Sequence, residues 1–282
     1  MILITGATGN FGSNLALALQ GKNIPFRAAA RNLKEVKEKL GGPVGAVEFD
    51  WNKTDTFNNA LKGISVVYLI SPPFNNDFET KAAPFIDEAK KAGVTHIVLT
   101  TGLFTGDNPG NIFYKTEQLV KQSGINYTII RPGFLFQNFI NYDLQSVKQG
   151  VIFAPSGEGK ASYVDVRDIA AATAEVLAEP EKHAGKIYAM TGKEALTHQE
   201  MADVLTEVTG RQTHHVNPTE EEYKQGLAGY NVPDFVYNFM AMLYATLKEG
   251  QWEKVSNDIK QLSGKTPRSF KEFVQENKEI FA

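Results

Sequence analysis

The chain has 282 residues, 42% of them hydrophobic and 22% charged, an ordinary globular balance with enough apolar side chain for a large core. Lys plus Arg total 29 against 32 Asp plus Glu, a formal charge of −3 with no long run of either sign, which argues against a nucleic-acid ligand. Cysteine is absent, which excludes disulfides, cysteine-ligated zinc or iron–sulfur sites and a thiol nucleophile. No apolar run reaches the roughly 18 residues of a membrane span and no leader pattern is recognisable, so the reading is a cytoplasmic protein without a membrane partner.

In chain order, residues 1–5 form an apolar strand leading into Gly6-Ala7-Thr8-Gly9-Asn10-Phe11-Gly12 and then a helix with Phe11, Leu15, Ala18 and Leu19 on one face. Strand, glycine turn and helix in that order predict a dinucleotide site. Gly6 permits the tight turn, Gly9 lets backbone approach a pyrophosphate, Gly12 lets helix and strand pack closely, and the helix N-terminus faces the anion. The spacing is G-x-x-G-x-x-G, not the G-x-G-x-x-G of dehydrogenase-type folds.

Strands at 25–30, 44–49, 64–70, 95–100 and 126–131 follow, alternating with helices at 33–40, 56–62, 77–92 and 112–123. Six strands joined through helices predict an α/β fold, a Rossmann-type doubly wound parallel sheet within a dinucleotide-binding domain over 1–135. Pro84 predicts that the 77–92 helix begins near it or kinks there. A helix at 138–149, strands near 151–154, 186–191 and 212–216, and helices at 166–178, 198–209, 220–227, 234–249 and 269–278 predict a smaller mixed α/β substrate-binding portion over 136–282. That portion is expected to pack on the sheet edge rather than stand alone.

The second strand ends Ala28-Ala29-Ala30-Arg31-Asn32. A carboxylate here would accept hydrogen bonds from the ribose 2′-hydroxyl of NAD, whereas a 2′-phosphate needs a cation, so Arg31 points to NADP over NAD. The competing reading of Arg31 is a solvated strand end. Asp50 and Trp51, closing the third strand, are either adenine neighbours or an ordinary turn.

The motif Gly6 to Gly12, Arg31, Ser71-Pro72-Pro73, the helix carrying Glu117, the run Arg131-Pro132-Gly133-Phe134 and the later Tyr163-Val164-Asp165-Val166-Arg167-Asp168-Ile169-Ala170 together resemble the NmrA-like branch of the atypical short-chain dehydrogenases/reductases. The resemblance extends to Leu262-Ser263-Gly264-Lys265-Thr266-Pro267-Arg268-Ser269-Phe270, and the pattern is most similar to small bacterial NAD(P)H-dependent quinone and triphenylmethane-dye reductases. It implies that Gly6, Thr8, Gly9, Asn10, Phe11 and Gly12 hold the pyrophosphate and Arg31 the 2′-phosphate. It places Ser71, Pro72 and Pro73 at the ribose and nicotinamide, with Pro132, Gly133 and Phe134 bearing on the nicotinamide.

The chain departs from the family in its proton machinery. Standard short-chain dehydrogenases set a Tyr four residues before a Lys, so that the ammonium lowers the phenol pKa. Here Tyr114 is followed by Gln118, Lys115 is preceded by Asn111, and Phe113 stands four residues before Glu117, where related reductases carry Lys or His. No catalytic acid is assigned, and Tyr114 and Lys115 read as helix surface. A quinone or conjugated cation accepts hydride without one, since orientation supplies most of the rate and solvent supplies the proton. Aromatic walls for such an acceptor are available in Phe74, Phe134, Phe136, Phe139 and Tyr142, and later in Phe235, Tyr237, Phe239 and Met240, half or more of which read simply as core. Asn138 either donates to the ligand or caps the following helix.

Among the remaining groups, His96, His183, His198, His214 and His215 include no pair at metal-ligand helical spacing, and His214 and His215 point to opposite faces of a strand, so no metal is expected. No G-x-S-x-G elbow marks a hydrolase. Glu220, Glu221 and Glu222 read as an acidic first helical turn, and Asp165 and Asp168 as caps. The expectation is an NADPH-dependent reductase of a small quinone-like or aromatic substrate, monomeric or homodimeric. The alternative is a redox sensor that binds the dinucleotide and signals through a partner, as the regulator that gave the family its name does.

Overall fold

The computed structural model describes residues 1–41, 44–72, 77–106, 109–111, 113–227 and 232–282. In chain order the first elements are β1 (Ile2–Ile4), α1 (Asn10–Gly21), β2 (Phe26–Ala30), α2 (Leu33–Leu40), β3 (Gly45–Glu48), α3 (Asp55–Leu61), β4 (Val66–Ile70), α4 (Phe78–Lys91), β5 (His96–Thr100), α5 (Tyr114–Gln122) and β6 (Asn126–Pro132). There follow α6 (Asn138–Asn141), α7 (Leu144–Lys148), β7 (Val151–Phe153), α8 (Val166–Ala178), β8 (Ile187–Met190), α9 (His198–Thr209) and β9 (His214–Val216). The chain closes with α10 (Glu220–Leu227), α11 (Asp234–Lys248), α12 (Asp258–Ser263), α13 (Phe270–Glu276) and α14 (Lys278–Phe281).

The chain divides into two compact units. Unit 1 comprises 1–132, 166–190 and 260–264; unit 2 comprises 133–165, 191–259 and 265–282. Unit 1 is built on a parallel sheet of seven strands in the order β3-β2-β1-β4-β5-β6-β8. Such a sheet is buried on both faces, which is why β4 and β5 read as continuous apolar runs and not as alternating ones. Leu3, Val67, Leu69, Ile97 and Leu99 point into a core closed by Phe57, Phe85 and Val120 of α3, α4 and α5. The pleat sends Ile2 and Ile4 to the other face, where α1 packs against α8. This is the doubly wound Rossmann-type arrangement.

Two expectations of the sequence reading change here. The strand at 186–191 does not belong to the C-terminal portion: β8 pairs in parallel with β6, Ile129 opposite Ile187 and Pro132 opposite Met190, so 166–190 returns to the sheet and supplies the seventh strand. The helix expected at 138–149 is broken into α6 and α7 at Tyr142 and Asp143, whose N–H groups both turn back to the Asn138 carbonyl, at 2.9 and 3.2 Å. Nor does α4 begin near Pro84: it starts at Phe78 with the proline inside it, and Ala82, Phe85, Ile86 and Ala89 are buried on either side. Unit 2 contains the parallel pair β7-β9 and, among the described residues, no helix in the chain is long and apolar enough to cross a membrane.

A buried charge cluster ties α5 to the sheet. Glu117 is 0% exposed, and Arg131 holds it with two hydrogen bonds, Nε to Oε1 at 2.9 Å and Nη2 to Oε2 at 2.6 Å. Thr101 Oγ1 donates to the same carboxylate at 2.9 Å and Lys121 Nζ at 3.3 Å. Removing one partner of a buried pair leaves the other charge desolvated and uncompensated. Glu117→Ala should therefore lower the unfolding free energy by about 3–5 kcal/mol in urea denaturation, and Glu117→Gln by less; an unchanged midpoint in both would show that the pair does not hold the helix.

Candidate functional site

The glycine loop lies at the carboxyl end of β1. Gly6 takes φ +61, the left-handed region that a side chain disfavours, and its carbonyl accepts the Gly9 N–H at 3.0 Å to close the turn. Gly9 precedes α1 with no side-chain cap, and the first turn carries no acid. The first bond back along the helix is Ser13 N–H to the Gly9 carbonyl at 2.9 Å, so the N–H groups of Asn10, Phe11 and Gly12 precede it and stay directed out of the helix end. A Cβ on Gly12 would lie 2.2 Å from the Gly6 oxygen, an impossible approach to backbone; on Gly9 the same atom would be 3.3 Å away. Gly12 thus sets the close packing of helix and strand, while Gly6 and Gly9 are exposed. This donor set, with the positive end of the helix behind it, suits a pyrophosphate.

Arg31 stands between β2 and α2, exposed, and without a hydrogen-bond or ion-pair partner among the described residues. Asn32 caps α2, its side chain accepting from the N–H groups of Lys34 and Glu35. Sequence reasoning missed Lys39, whose Nζ donates to the Thr8 carbonyl at 2.7 Å and pairs with Glu35 at 2.9 Å. Only its i,i+4 relation to Glu35 was visible in the sequence. Asp50 spends its carboxylate on the Asn52 N–H at 2.9 Å, the turn that was the competing reading. Trp51 meets Phe49 at 4.7 Å and Phe78 at 4.9 Å, both edge to face, so it seals the aromatic end of the core. Ser71 is buried with its N–H on the Thr100 carbonyl, and Pro72 follows half-buried; Pro73 and Phe74 lie outside the described residues. Lys115 is exposed and pairs with Glu79 at 3.2 Å, and Tyr114 lines the shallow α4–α5 groove with it.

Pro132 ends β6, and unit 2 begins at Gly133. Phe134, 8% exposed, stacks on Tyr163 at 5.1 Å and meets Trp252 at 4.3 Å. Phe136 is enclosed at 1% exposure among Tyr163, Phe270 and Phe273, and Phe139 is likewise buried, so Phe136 is core and corrects the expectation of a substrate wall there. Tyr142 is exposed. Gln137 occupies the position before α6 and donates to the Asp165 carboxylate at 2.9 Å, which leaves Asn138 inside the helix and not capping it.

No spacing in the sequence marks the polar chain that meets Tyr163. Its Oη lies 3.0 Å from His198 Nε2, His198 Nδ1 lies 2.7 Å from Ser156 Oγ, and Ser156 Oγ lies 3.3 Å from His215 Nε2, which donates to the Ala154 carbonyl at 2.8 Å. Burial and the neighbouring His215 push the His198 imidazole down to about 3, and burial with the Asp143 charge pushes the Tyr163 phenol well above its usual range. Burial raises the Asp143 carboxyl to about 7. His214 is exposed on the outer side of β9, as the alternation of a strand requires.

The NmrA-like family matches residues 1–274. The chain belongs to that family. It is similar to the NAD(P)H azoreductase of Xenophilus azovorans, 33% identical over the whole of this chain and 99% of the relative. The fold matches the Citrobacter sp. triphenylmethane reductase complexed with NADP(H), with a TM-score of 0.88 and 28% identity, covering 98% of this chain and 99% of that one. The NADPH-dependent quinone oxidoreductase of Escherichia coli complexed with NADPH is equally similar, again with a TM-score of 0.88 and 28% identity over the same shares of the two chains.

The two loop glycines separate in their roles. Gly12→Ala must push helix from strand and should lower stability by about 1–3 kcal/mol, the range for overpacking. Gly9→Ala, at an ordinary extended conformation and with its methyl 3.3 Å from the Gly6 oxygen, asks for a shift of only a few tenths of an ångström and should change stability by less than about 1 kcal/mol. Thermal unfolding of the two variants side by side checks this, and equal losses would contradict it.

Proposed function

We propose that the protein is a cytoplasmic NADPH-dependent reductase that transfers hydride to a quinone-like or other conjugated aromatic acceptor. The observation that carries this reading is the uncapped, acid-free N-terminus of α1 behind an exposed glycine loop at the carboxyl end of a parallel strand. The named activities of the similar proteins, reduction of azo compounds, quinones and triphenylmethane dyes with nicotinamide cofactors, support the same chemistry.

When bound, the cofactor supplies hydride from its nicotinamide. In unit 1 the backbone of Gly6, Thr8, Gly9, Asn10, Phe11 and Gly12 would hold the pyrophosphate, with Arg31 free to fork onto a 2′-phosphate and Lys39 adding positive charge beside Thr8. No carboxylate stands at residues 28–32 to favour a bare ribose. Asp50 and Trp51 would border the adenine, and Ser71, Pro72, Pro73 and Pro132 the ribose and nicotinamide. In unit 2, Phe134 would offer an aromatic edge and Asn138 an amide to a planar acceptor. Tyr114 and Lys115 on the α4–α5 surface take no part.

Arg31→Ala should weaken NADPH by about 1.5–3 kcal/mol, the worth of a charge-assisted hydrogen bond, and leave NADH nearly unchanged. Fluorescence titration of both cofactors against the variant reads this directly; equal losses would remove Arg31 from the 2′-phosphate. With a quinone acceptor, Tyr114→Phe and Lys115→Ala should each keep turnover within about tenfold of wild type, well short of the loss expected on removing a general acid.

A further inference from the structure

The Thr8–Gly9 peptide stands directly before the start of α1, where the N–H groups of Asn10, Phe11 and Gly12 face outward. It is anchored through both of its polar groups. Its N–H, carried by Gly9, donates to the Gly6 carbonyl at 3.0 Å, and its carbonyl, carried by Thr8, accepts from Lys39 Nζ at 2.7 Å. The first bond is local to the turn, whereas the second crosses from α2. Gly9 has no Cβ to resist rotation of this peptide, so the two hydrogen bonds supply the restraint.

α2 is a firm support for such a bond. Asn32 caps its start through the Lys34 and Glu35 N–H groups, Gln20 of α1 donates to the Leu40 carbonyl at its end at 3.3 Å, and Val36 and Leu40 are buried beneath it. Glu35, one turn before Lys39, holds the same ammonium at 2.9 Å. That half-exposed ion pair is worth little in itself, but it narrows the positions open to Nζ. All of these residues belong to unit 1. Lys39 is thereby committed to acceptors of the protein, while Arg31, just before the cap, has no partner among the described residues. The two cations therefore differ in kind: Arg31 is open to a ligand, and Lys39 is spent on the loop.

A loop ordered before its ligand arrives loses less conformational freedom on binding, and the pyrophosphate that suits this loop is common to NADPH and NADH. We propose that Lys39 is a positioning residue of the dinucleotide site, holding the Thr8 carbonyl so that the glycine loop is ordered before either cofactor binds and both gain alike. Arg31 discriminates between the cofactors; Lys39 does not. The proposal rests on the dinucleotide site described above, and its test separates the two.

Fluorescence titration of NADPH and NADH against variants of α2 provides that test. Lys39→Met keeps the length of the side chain and removes its donor, so Kd should rise about fivefold for each cofactor, with their ratio within about twofold of wild type. Lys39→Arg, which keeps a charged donor, should return both to within about twofold. Lys34→Met removes the same charge from the same helix, but Lys34 pairs with Glu38 at 3.8 Å and not with the loop, so both affinities should stay within about twofold of wild type. Unchanged affinity in Lys39→Met would overturn the proposal. So would an equal loss in Lys34→Met, which would reduce the effect to net charge, or a loss confined to NADPH, which would make Lys39 a contact of the 2′-phosphate. Each of those outcomes leaves the dinucleotide site standing, whereas a wild type that binds neither cofactor would overturn both. Should Lys39→Met fail to fold, Lys39→Leu takes its place with the same expected losses. A second readout needs no cofactor: in nitrogen-15 NMR of the unliganded protein, the Gly9 N–H should exchange about fivefold faster in Lys39→Met than in wild type, while the Ser13 N–H keeps its rate. Equal Gly9 rates would overturn the proposal.

Discussion

The whole arrangement at the edge of the sheet depends on how closely α1 can approach β1. With hydrogen in place of a Cβ at Gly12, the helix begins within touching distance of the Gly6 carbonyl, where a methyl would sit 2.2 Å from that oxygen. This contact aims the start of α1 at the space beyond the strand end, and the left-handed Gly6 turns the chain sharply enough to reach it. One steric vacancy therefore converts an ordinary strand-to-helix connection into a surface of outward-facing N–H groups suited to an anion. The absence of a cap or an acid in the first helical turn leaves that surface positive, and Lys39 reinforces it from a neighbouring helix.

The same economy of positions governs α5. In standard short-chain dehydrogenases this helix carries the acid; here its inward face carries Glu117, locked by Arg131, Thr101 and Lys121 in a cluster whose carboxylate oxygens all have partners. A buried carboxylate so fully satisfied is a structural anchor between helix and strand, and its neutralisation would strand Arg131. Lys115 faces outward to Glu79. The inward face of the helix thus fixes its register against β6, the strand that leads into Phe134.

Unit 2 balances apolar and polar packing around Tyr163. Its ring is held by Phe134, Phe136 and Phe139, while its hydroxyl terminates the His198–Ser156–His215 chain. The Ala154 carbonyl can only accept, so His215 Nε2 carries a hydrogen at that end of the chain. Burial first, and the nearby Asp143 carboxyl second, raise the Tyr163 phenol well above its usual range. Tyr163 accordingly stays protonated.

The local code was sufficient for most elements of unit 1. The glycine spacing with a strand before it and a helix after it set the β1–α1 turn, and apolar runs located β4, β5 and β6, because each depends on neighbours within a few residues. Arg31 and the lack of a carboxylate beside it were equally legible. What tertiary structure alone decided involves partners far apart in sequence. β8 joined the sheet because its hydrogen bonds go to β6, about sixty residues earlier, a pairing that periodicity cannot specify. Lys39 met Thr8 across 31 positions, Phe136 became core only once Phe270 and Phe273 closed over it, and Tyr163 met His198 across 35. Spacing in a sequence reports which residues share one face of one element. It carries no record of which faces meet, and the hydrogen-bonded chain under Tyr163 exists only where four such faces do.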